Sequence, residues 1–129
     1  MSHKRIPSGS KWEDIVGYSR VVKAGNLIEV AGTTSSDGEN VIGKGDYYLQ
    51  SKYIFEKIEK YLSEAGATLK DVIRTRIYVC DIQQWEAVGK AHAEFFGQIK
   101  PVSTMVEVSK LVHPDILVEI EVTAVADEG

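Results

Sequence analysis

The end of the chain carries the clearest alternation of apolar and polar positions. In residues 117–125, apolar side chains at every second position alternate with Glu119, Glu121 and Thr123. A period of two is typical of a strand that buries one face and leaves the other open. The pattern therefore predicts a half-buried strand with two carboxylates on its polar side.

A second β-like run, residues 104–108, precedes this strand, and Pro114 lies in the connector between the two. Proline cannot donate to a ladder, so it suits the turn. If the two runs pair antiparallel, the side of the first that carries Ser103 and Met105 lies beside Glu119. That pairing predicts a small cleft with a carboxylate in it.

Three more β-like runs lie upstream. Residues 18–22 and 27–33 flank a turn at Gly25-Asn26, where positive φ is tolerated. Residues 71–79 alternate and predict a strand with two different faces. We expect one face to carry Ile73, Thr75, Ile77 and Val79, and the other to carry Val72, Arg74, Arg76 and Tyr78.

Capping residues and apolar spacings of three and four predict two helices. The first begins after Asp46 and runs to about Ala65, and the second begins after Asp81 and runs to about Phe96. A glycine follows each helix and favours its termination. The apolar stripe of the second helix carries Trp85, Val88, Ala91, His92, Phe95 and Phe96, and we expect Trp85 in the core.

The resulting order, β-β-α-β-α-β-β, predicts an α+β fold in which two helices cover one face of a mixed sheet. Residues 1–16 are polar and predict a loosely attached N-terminal arm. The second sheet face, with Arg74, Arg76 and Tyr78, faces solvent in a monomer. A chain of this size with such a face indicates self-association.

Composition narrows the class of protein. The chain has 129 residues, a net charge of −4 and one cysteine, Cys80. We expect a single cytoplasmic domain, 1–129, without an internal disulfide, and the acidic charge disfavours a nucleic-acid partner. The sequence predicts no signal peptide, no membrane span and no metal site.

Several motifs resemble the YjgF/Rid family of imine and enamine deaminases over nearly the whole chain. They are Pro101, Val-Glu-Val at 106–108 and Val-Glu-Ile-Glu at 118–121, with further similarity at Tyr18, 25–26, 30–32, 65–66 and 95–96. The resemblance implies a chorismate-mutase-like fold and a homotrimer with three clefts between subunits. It also implies hydrolysis of a small-molecule imine or enamine to a carbonyl compound and ammonia, without a cofactor or metal.

The resemblance carries over to single positions. The family's water-positioning glutamate falls on Glu119, whereas spacing alone leaves open an interface ion pair or an exposed side chain. Tyr18 matches a pocket-lining aromatic residue, and backbone groups near Gly32 and Met105 would hold the nitrogen and the water. Ala31, Gly89 and Met105 stand where the deaminases carry a small polar residue, an asparagine and a cysteine.

The informative departure is Ser103, because the deaminases carry an arginine at this position. An arginine grips a substrate carboxylate through a bidentate, charge-assisted pair that serine cannot form. Thr104 or Arg76 are candidates to take over the anchoring, since the alternation puts Arg76 on the face that an oligomer encloses. An ion pair with Glu107 or Glu121 is the alternative for Arg76.

Two more residues belong to the predicted pocket. Tyr78 shares the sheet face of Arg76. His92 lies on the apolar stripe of the second helix, where a packed histidine and a site residue are both open interpretations.

Three functions follow from this reading. The first is a Rid-type hydrolase of imines or enamines with a non-standard substrate, for which we expect weak or no activity on 2-aminoacrylate. The second is a non-catalytic trimer that binds a small ligand. The third, a ribonuclease or translation inhibitor, is disfavoured by the acidic charge and by the lack of a His/His or His/Lys acid-base pair.

Overall fold

The computed structural model describes residues 3–126 and is built around one mixed sheet. In chain order its strands and helices are β1 (Lys4–Ile6), α1 (Lys11–Val16), β2 (Val21–Ala24), β3 (Leu27–Thr33), β4 (Ser36–Asp37), β5 (Asn40–Val41), α2 (Tyr47–Glu64), β6 (Val72–Val79), α3 (Trp85–Phe96), β7 (Val102–Glu107) and β8 (Val118–Val125). Short 3₁₀ turns at Leu69–Asp71 and Ile82–Gln84 precede β6 and α3.

Six of the strands form the main sheet in the order β1-β2-β3-β8-β6-β7, and β4 and β5 form a separate hairpin. Strand β8 is antiparallel to both of its neighbours, β3 and β6. Strand β7 is parallel to β6 and forms one free edge of the sheet, and β1 forms the other. The crossover through α3 explains the parallel pair, because parallel neighbours need a long connection.

This order corrects the predicted pairing of the last two strands. β7 and β8 are not neighbours, because β6 lies between them. Their registers on β6 put Ser103 opposite Thr75 and Glu119 opposite Tyr78. Thr75 is fully buried beneath the helices. Ser103 and Glu119 therefore lie on opposite faces of the sheet.

Helices α2 and α3 pack on one face, as the apolar stripes predict. Asp46 Oδ1 accepts from the backbone N–H of Leu49 at 2.9 Å and caps α2. The core between helices and sheet includes the fully buried side chains Phe55, Phe96 and Ile120. Burial of such side chains stabilises a fold by roughly 1.5–3 kcal/mol each.

Two predicted core positions are wrong. Ile73 is 49% exposed while Val72 is buried, because the register with β8 shifts between Val72 and Arg74. One extra residue at such a bulge moves the next side chain to the other face. Trp85, at the first position of α3, is 56% exposed.

The N-terminal segment is more ordered than the predicted loose arm. β1 extends the sheet by pairing antiparallel with β2, and α1 begins at an N-cap, Ser10. Glu13 of α1 is only 6% exposed. The predicted strand 18–22 begins later, at Val21, so Tyr18 lies in the segment before β2.

The sheet face opposite the helices remains open. Leu27, Ile73, Val102 and Val106 are exposed apolar side chains on β3, β6 and β7. Arg76 lies opposite both Glu121 and Thr104 in register on this face. The open face thus combines apolar and charged groups.

Candidate active site

Glu119 lies near the start of β8 and packs against a glycine. It is half-buried, and a methyl group added at Gly32 would be 3.0 Å from Glu119 Cδ and closer still to Oε2. Real Cβ atoms do not approach other heavy atoms so closely. Gly32 is therefore the residue that leaves room for the carboxylate.

A bulge in β3 creates this contact. The register between β3 and β8 shifts between Val30 and Thr33, so two residues, Ala31 and Gly32, stand against the single residue Glu121 of the partner strand. Bulges re-aim the backbone at particular points in a sheet. Here the bulge brings the Gly32 backbone against the side chain of Glu119.

The surroundings of Glu119 change its acidity. Burial raises the pKa of its carboxyl above the usual value of 4.5, the charge of Glu121 raises it further, and the charge of Arg20 opposes the rise. A carboxylate whose pKa moves toward neutrality is a better general base at neutral pH.

Arg20, which was not predicted from the sequence, forms hydrogen bonds to the bulge of β3. It is 9% exposed, and its Nη1 donates to Gly32 O at 2.7 Å, and to Ala31 O and Thr33 Oγ1 at 3.3 Å. Arginine presents several donors in a fixed fork, so one side chain can tie several carbonyls together. Its position before β2 gave no periodic signal in the sequence.

Arg20 also links Tyr18 to this group of residues. Its Nη2 donates to Tyr18 Oη at 3.3 Å, and its guanidinium lies 5.6 Å from the centre of the Tyr18 ring. Since the phenol oxygen accepts this bond, the phenol hydrogen is available to another acceptor. We call Tyr18, Arg20, Ala31, Gly32 and Glu119 the carboxylate cluster.

A second acidic residue compensates the buried arginine. Glu13 Oε2 lies 3.9 Å from Arg20 Nε, which has no hydrogen-bond partner among the described residues. Ser8 holds the Glu13 carboxylate through its backbone N–H, at 3.1 Å, and through its hydroxyl. The N-terminal segment is thereby attached to the carboxylate cluster through Glu13 and Arg20. These contacts explain why the segment is ordered.

A second group of polar residues forms at the other side of the sheet. Thr75 Oγ1 donates to Ser103 Oγ at 2.7 Å and lies 2.9 Å from His92 Nε2. Gly89 lies one helical turn before His92 on α3. We call Thr75, Gly89, His92 and Ser103 the edge cluster, because Ser103 lies on the edge strand β7.

The other predicted positions fall outside both clusters. Met105 packs partly buried against the core, opposite Ile77. Tyr78 Oη donates to Glu121 Oε1 at 2.6 Å on the open face. Thr104 is exposed opposite Arg76, and Arg76 makes no ion pair within residues 3–126.

The two clusters do not meet within one chain. Neighbouring strands lie about 4.8 Å apart, so β8 and β7 are separated by roughly 10 Å. Glu119 and Ser103 also lie on opposite faces. A small ligand therefore cannot contact both clusters of one chain.

Two cavities of the single chain lie away from Glu119 and Ser103. Tyr18 lines an open cavity of about 500 Å³ together with Arg5 and Ser19, and Cys80 lines another of about 430 Å³. Neither is lined by Glu119 or Ser103.

Across residues 3–126, no group of three or more His, Cys, Asp or Glu side chains is arranged to hold a metal ion. None of the helices in that range has the length and apolar character to cross a bilayer.

Fold and site together define a class: a small α+β protein whose sheet is covered by helices on one face and carries a half-buried glutamate against a glycine bulge. The sequence model described as Endoribonuclease L-PSP matches residues 9–126. The chain belongs to this family, which is also called YjgF/YER057c/UK114.

Individual relatives agree with this assignment. An uncharacterized protein of Streptomyces coelicolor is 39% identical over 121 residues, covering 94% of this chain and 90% of the relative. The 3-aminoacrylate deaminase RutC of Acinetobacter baylyi is 34% identical over 116 residues, covering 89% and 90%. A crystal structure of a Mycobacterium tuberculosis family member is 48% identical, with a TM-score of 0.86, and covers 97% of this chain and 100% of that one. The α+β fold expected from the sequence is confirmed by this match.

Proposed function

We propose that this protein is a homotrimeric hydrolase that converts an imine or enamine to a carbonyl compound and ammonia. The observation that carries the proposal is Glu119, a half-buried carboxylate whose pKa is raised by burial and which Gly32 accommodates. The family membership and the name of the 34% identical relative, 3-aminoacrylate deaminase, support the same class of reaction.

The proposed reaction needs one base and no cofactor. Glu119 accepts a proton from water while the water oxygen forms a bond to the imine carbon, and the nitrogen takes up that proton. Glu119 then transfers the hydroxyl proton of the carbinolamine to its nitrogen, the C–N bond breaks, the carbonyl forms and ammonia leaves. An enamine enters the same sequence after tautomerisation to its imine, in which carbon gains a proton and nitrogen loses one.

The cleft is proposed to lie between subunits. The separation of the carboxylate and edge clusters supports this arrangement, because one chain cannot bring Glu119 and Ser103 to one ligand. The exposed apolar side chains of the open face, including Leu27, Ile73 and Val106, supply surface for the association. Arg76 would be enclosed with them and would then need an anionic partner or ligand.

Ser103 limits the substrate. A hydrogen bond to a charged group contributes roughly 1.5–3 kcal/mol, so loss of an arginine clamp lowers affinity for a carboxylate about ten- to a hundredfold. We expect weak activity on 2-aminoacrylate and better activity on an imine of different charge, with Thr104 or Arg76 as anchors.

A binding protein without catalysis is the second candidate. Ser103, Gly89 and Met105 all depart from the residues that the resemblance leads us to expect, which favours a changed or lapsed activity. Retention of a bound metabolite by the Glu119→Gln variant would support this candidate. A ribonuclease, which the family description names, requires RNA binding that weakens as salt rises.

The test is hydrolysis of a panel of imines generated in situ: 2-imino acids from amino-acid oxidases, and imines without a carboxylate from amine oxidases. Wild type is compared with Glu119→Gln, and Ser103→Arg tests the anchor. We expect turnover of at least one imine by wild type and its loss in Glu119→Gln. Activity that appears only in Ser103→Arg would indicate that the catalytic residues are intact and that only a substrate-binding residue is missing. Absence of turnover by all three proteins would contradict the proposal.

A further inference from the structure

We propose that His92, Thr75 and Ser103 form a neutral hydrogen-bond relay that presents a single outward donor to the substrate. The relay selects an uncharged acceptor group, such as an amide carbonyl, over a carboxylate. This inference rests on the proposed function, because it names the substrate class for the same cleft.

The direction of the relay follows from counting hydrogens. A threonine hydroxyl has one hydrogen, and Thr75 gives it to Ser103 Oγ at 2.7 Å. Thr75 Oγ1 must then accept from His92 Nε2, which lies 2.9 Å away. The hydrogen of Ser103 is used by neither partner and is free to point outward.

The inner part of the relay is held rigidly. Thr75 is fully buried. The His92 ring packs 4.9 Å from the ring of Phe96 and 5.7 Å from that of Phe55. Burial lowers the pKa of His92, so the imidazole is neutral at neutral pH. The donor that reaches Ser103 is therefore preorganised and carries no net charge.

The outer end is accessible. Ser103 is exposed on the free edge strand β7. A single neutral donor matches one carbonyl or hydroxyl oxygen, whereas a carboxylate is matched best by a bidentate cation. An uncharged acceptor loses less hydration when it is bound here. The geometry thus favours an amide or another neutral group on the substrate.

The relay is tested by binding, which does not require turnover. The probes are 2-oxobutanamide and 2-oxobutanoate, stable carbonyl compounds that differ in charge at one group. Their dissociation constants are measured by NMR titration with wild type, Thr75→Val and Thr75→Ser. The ¹⁵N shifts of His92 report whether Nε2 carries the hydrogen.

Wild type is expected to bind the amide about tenfold more tightly than the acid, because the carboxylate loses more hydration in making the same hydrogen bond. Thr75→Val should remove this preference and Thr75→Ser should retain it. Ser103→Ala, which removes the outward donor at an exposed position, should also abolish the preference and serves if Thr75→Val fails to fold.

Three results would overturn the relay: tighter binding of the acid, no binding of the amide, or a preference that survives in Thr75→Val. These outcomes differ from failure of the proposed function. If the amide preference holds but no imine is hydrolysed, the catalytic proposal alone fails. If imines are hydrolysed without an amide preference, the relay alone fails.

Discussion

The carboxylate cluster and the edge cluster differ in the charge of their polar groups and in how those groups are held. In the first, a buried arginine and two carboxylates are held together by a strand bulge and by the N-terminal segment. In the second, the polar groups are neutral and form one chain of hydroxyls ending at an exposed serine. The comparison indicates that the carboxylate cluster is held by charge and by backbone geometry, whereas the edge cluster is held by hydrogen bonds between neutral side chains.

A large loss of stability is expected for Gly32→Ala. Its added methyl overlaps the Glu119 carboxylate, and overpacking costs about 1–3 kcal/mol. The matched control is Gly89→Ala in the edge cluster, where the nearest atom to the methyl, Trp85 Cε3, is 4.0 Å away. Gly89→Ala should raise stability by up to about 1 kcal/mol, because alanine favours a helix. Thermal unfolding should show a lower melting temperature for Gly32→Ala and a higher one for Gly89→Ala. Equal changes in melting temperature would contradict the packing argument.

Arg20→Gln should destabilise the fold by about 3 kcal/mol, because it leaves Glu13 buried without its cation and frees the bulge carbonyls. Lys60→Gln, an exposed change on α2, is the control and should be nearly neutral. Urea unfolding measures both. If Arg20→Gln proved as harmless as the control, the carboxylate cluster would not depend on this arginine.

Glu119→Gln should stabilise the protein modestly at neutral pH, by less than about 1 kcal/mol given partial exposure to solvent. The folded pKa of Glu119 is raised above 4.5, so its favourable contribution is present below that value and is lost as pH rises through the folded pKa. The gain from the glutamine should therefore vanish on acidification. Melting temperatures across the pH range test this, and a gain that grows in acid would contradict it.

His92 in the edge cluster should show the opposite dependence. The pKa of His92 in the folded protein is lowered below 6.5. Its contribution to the free energy of unfolding is therefore full above pH 6.5 and is lost as the pH falls through the folded pKa. His92→Gln should remove this acid sensitivity while keeping the hydrogen bond to Thr75. Identical acid profiles of variant and wild type would show that His92 does not titrate with unfolding.

The sequence predicted the two clusters unequally. The alternation around Glu119 and the Asp46 cap of α2 could be read correctly, because they depend on local sequence. Asp81 was predicted to cap the second helix, but it caps the 3₁₀ turn before α3, whose own N-cap is Gln84. The separation of Ser103 from Glu119 could not be predicted, since the position of β6 between β7 and β8 is a property of topology. Arg20 was missed because its role depends on a bulge in another strand.

Bulges also explain the misplacement of Ile73, since one extra residue reverses an alternation that is otherwise reliable. Trp85 was misplaced for a different reason. The helical spacing puts it on the apolar stripe, but α3 only begins there and the residue extends past the edge of the core. Contacts made by the ends of elements are not encoded in their period.

The central claim is that catalysis requires the carboxylate cluster of one subunit and the edge cluster of another. Co-expression of Glu119→Gln with Ser103→Trp, each carrying a different tag, tests it most directly. Each variant alone should be inactive on the imine that wild type hydrolyses. In randomly mixed trimers roughly a quarter of the clefts combine an intact Glu119 with an intact Ser103, so activity should return to about that fraction. Mixed trimers, verified by native mass spectrometry, that stay as inactive as the separate variants would contradict the account.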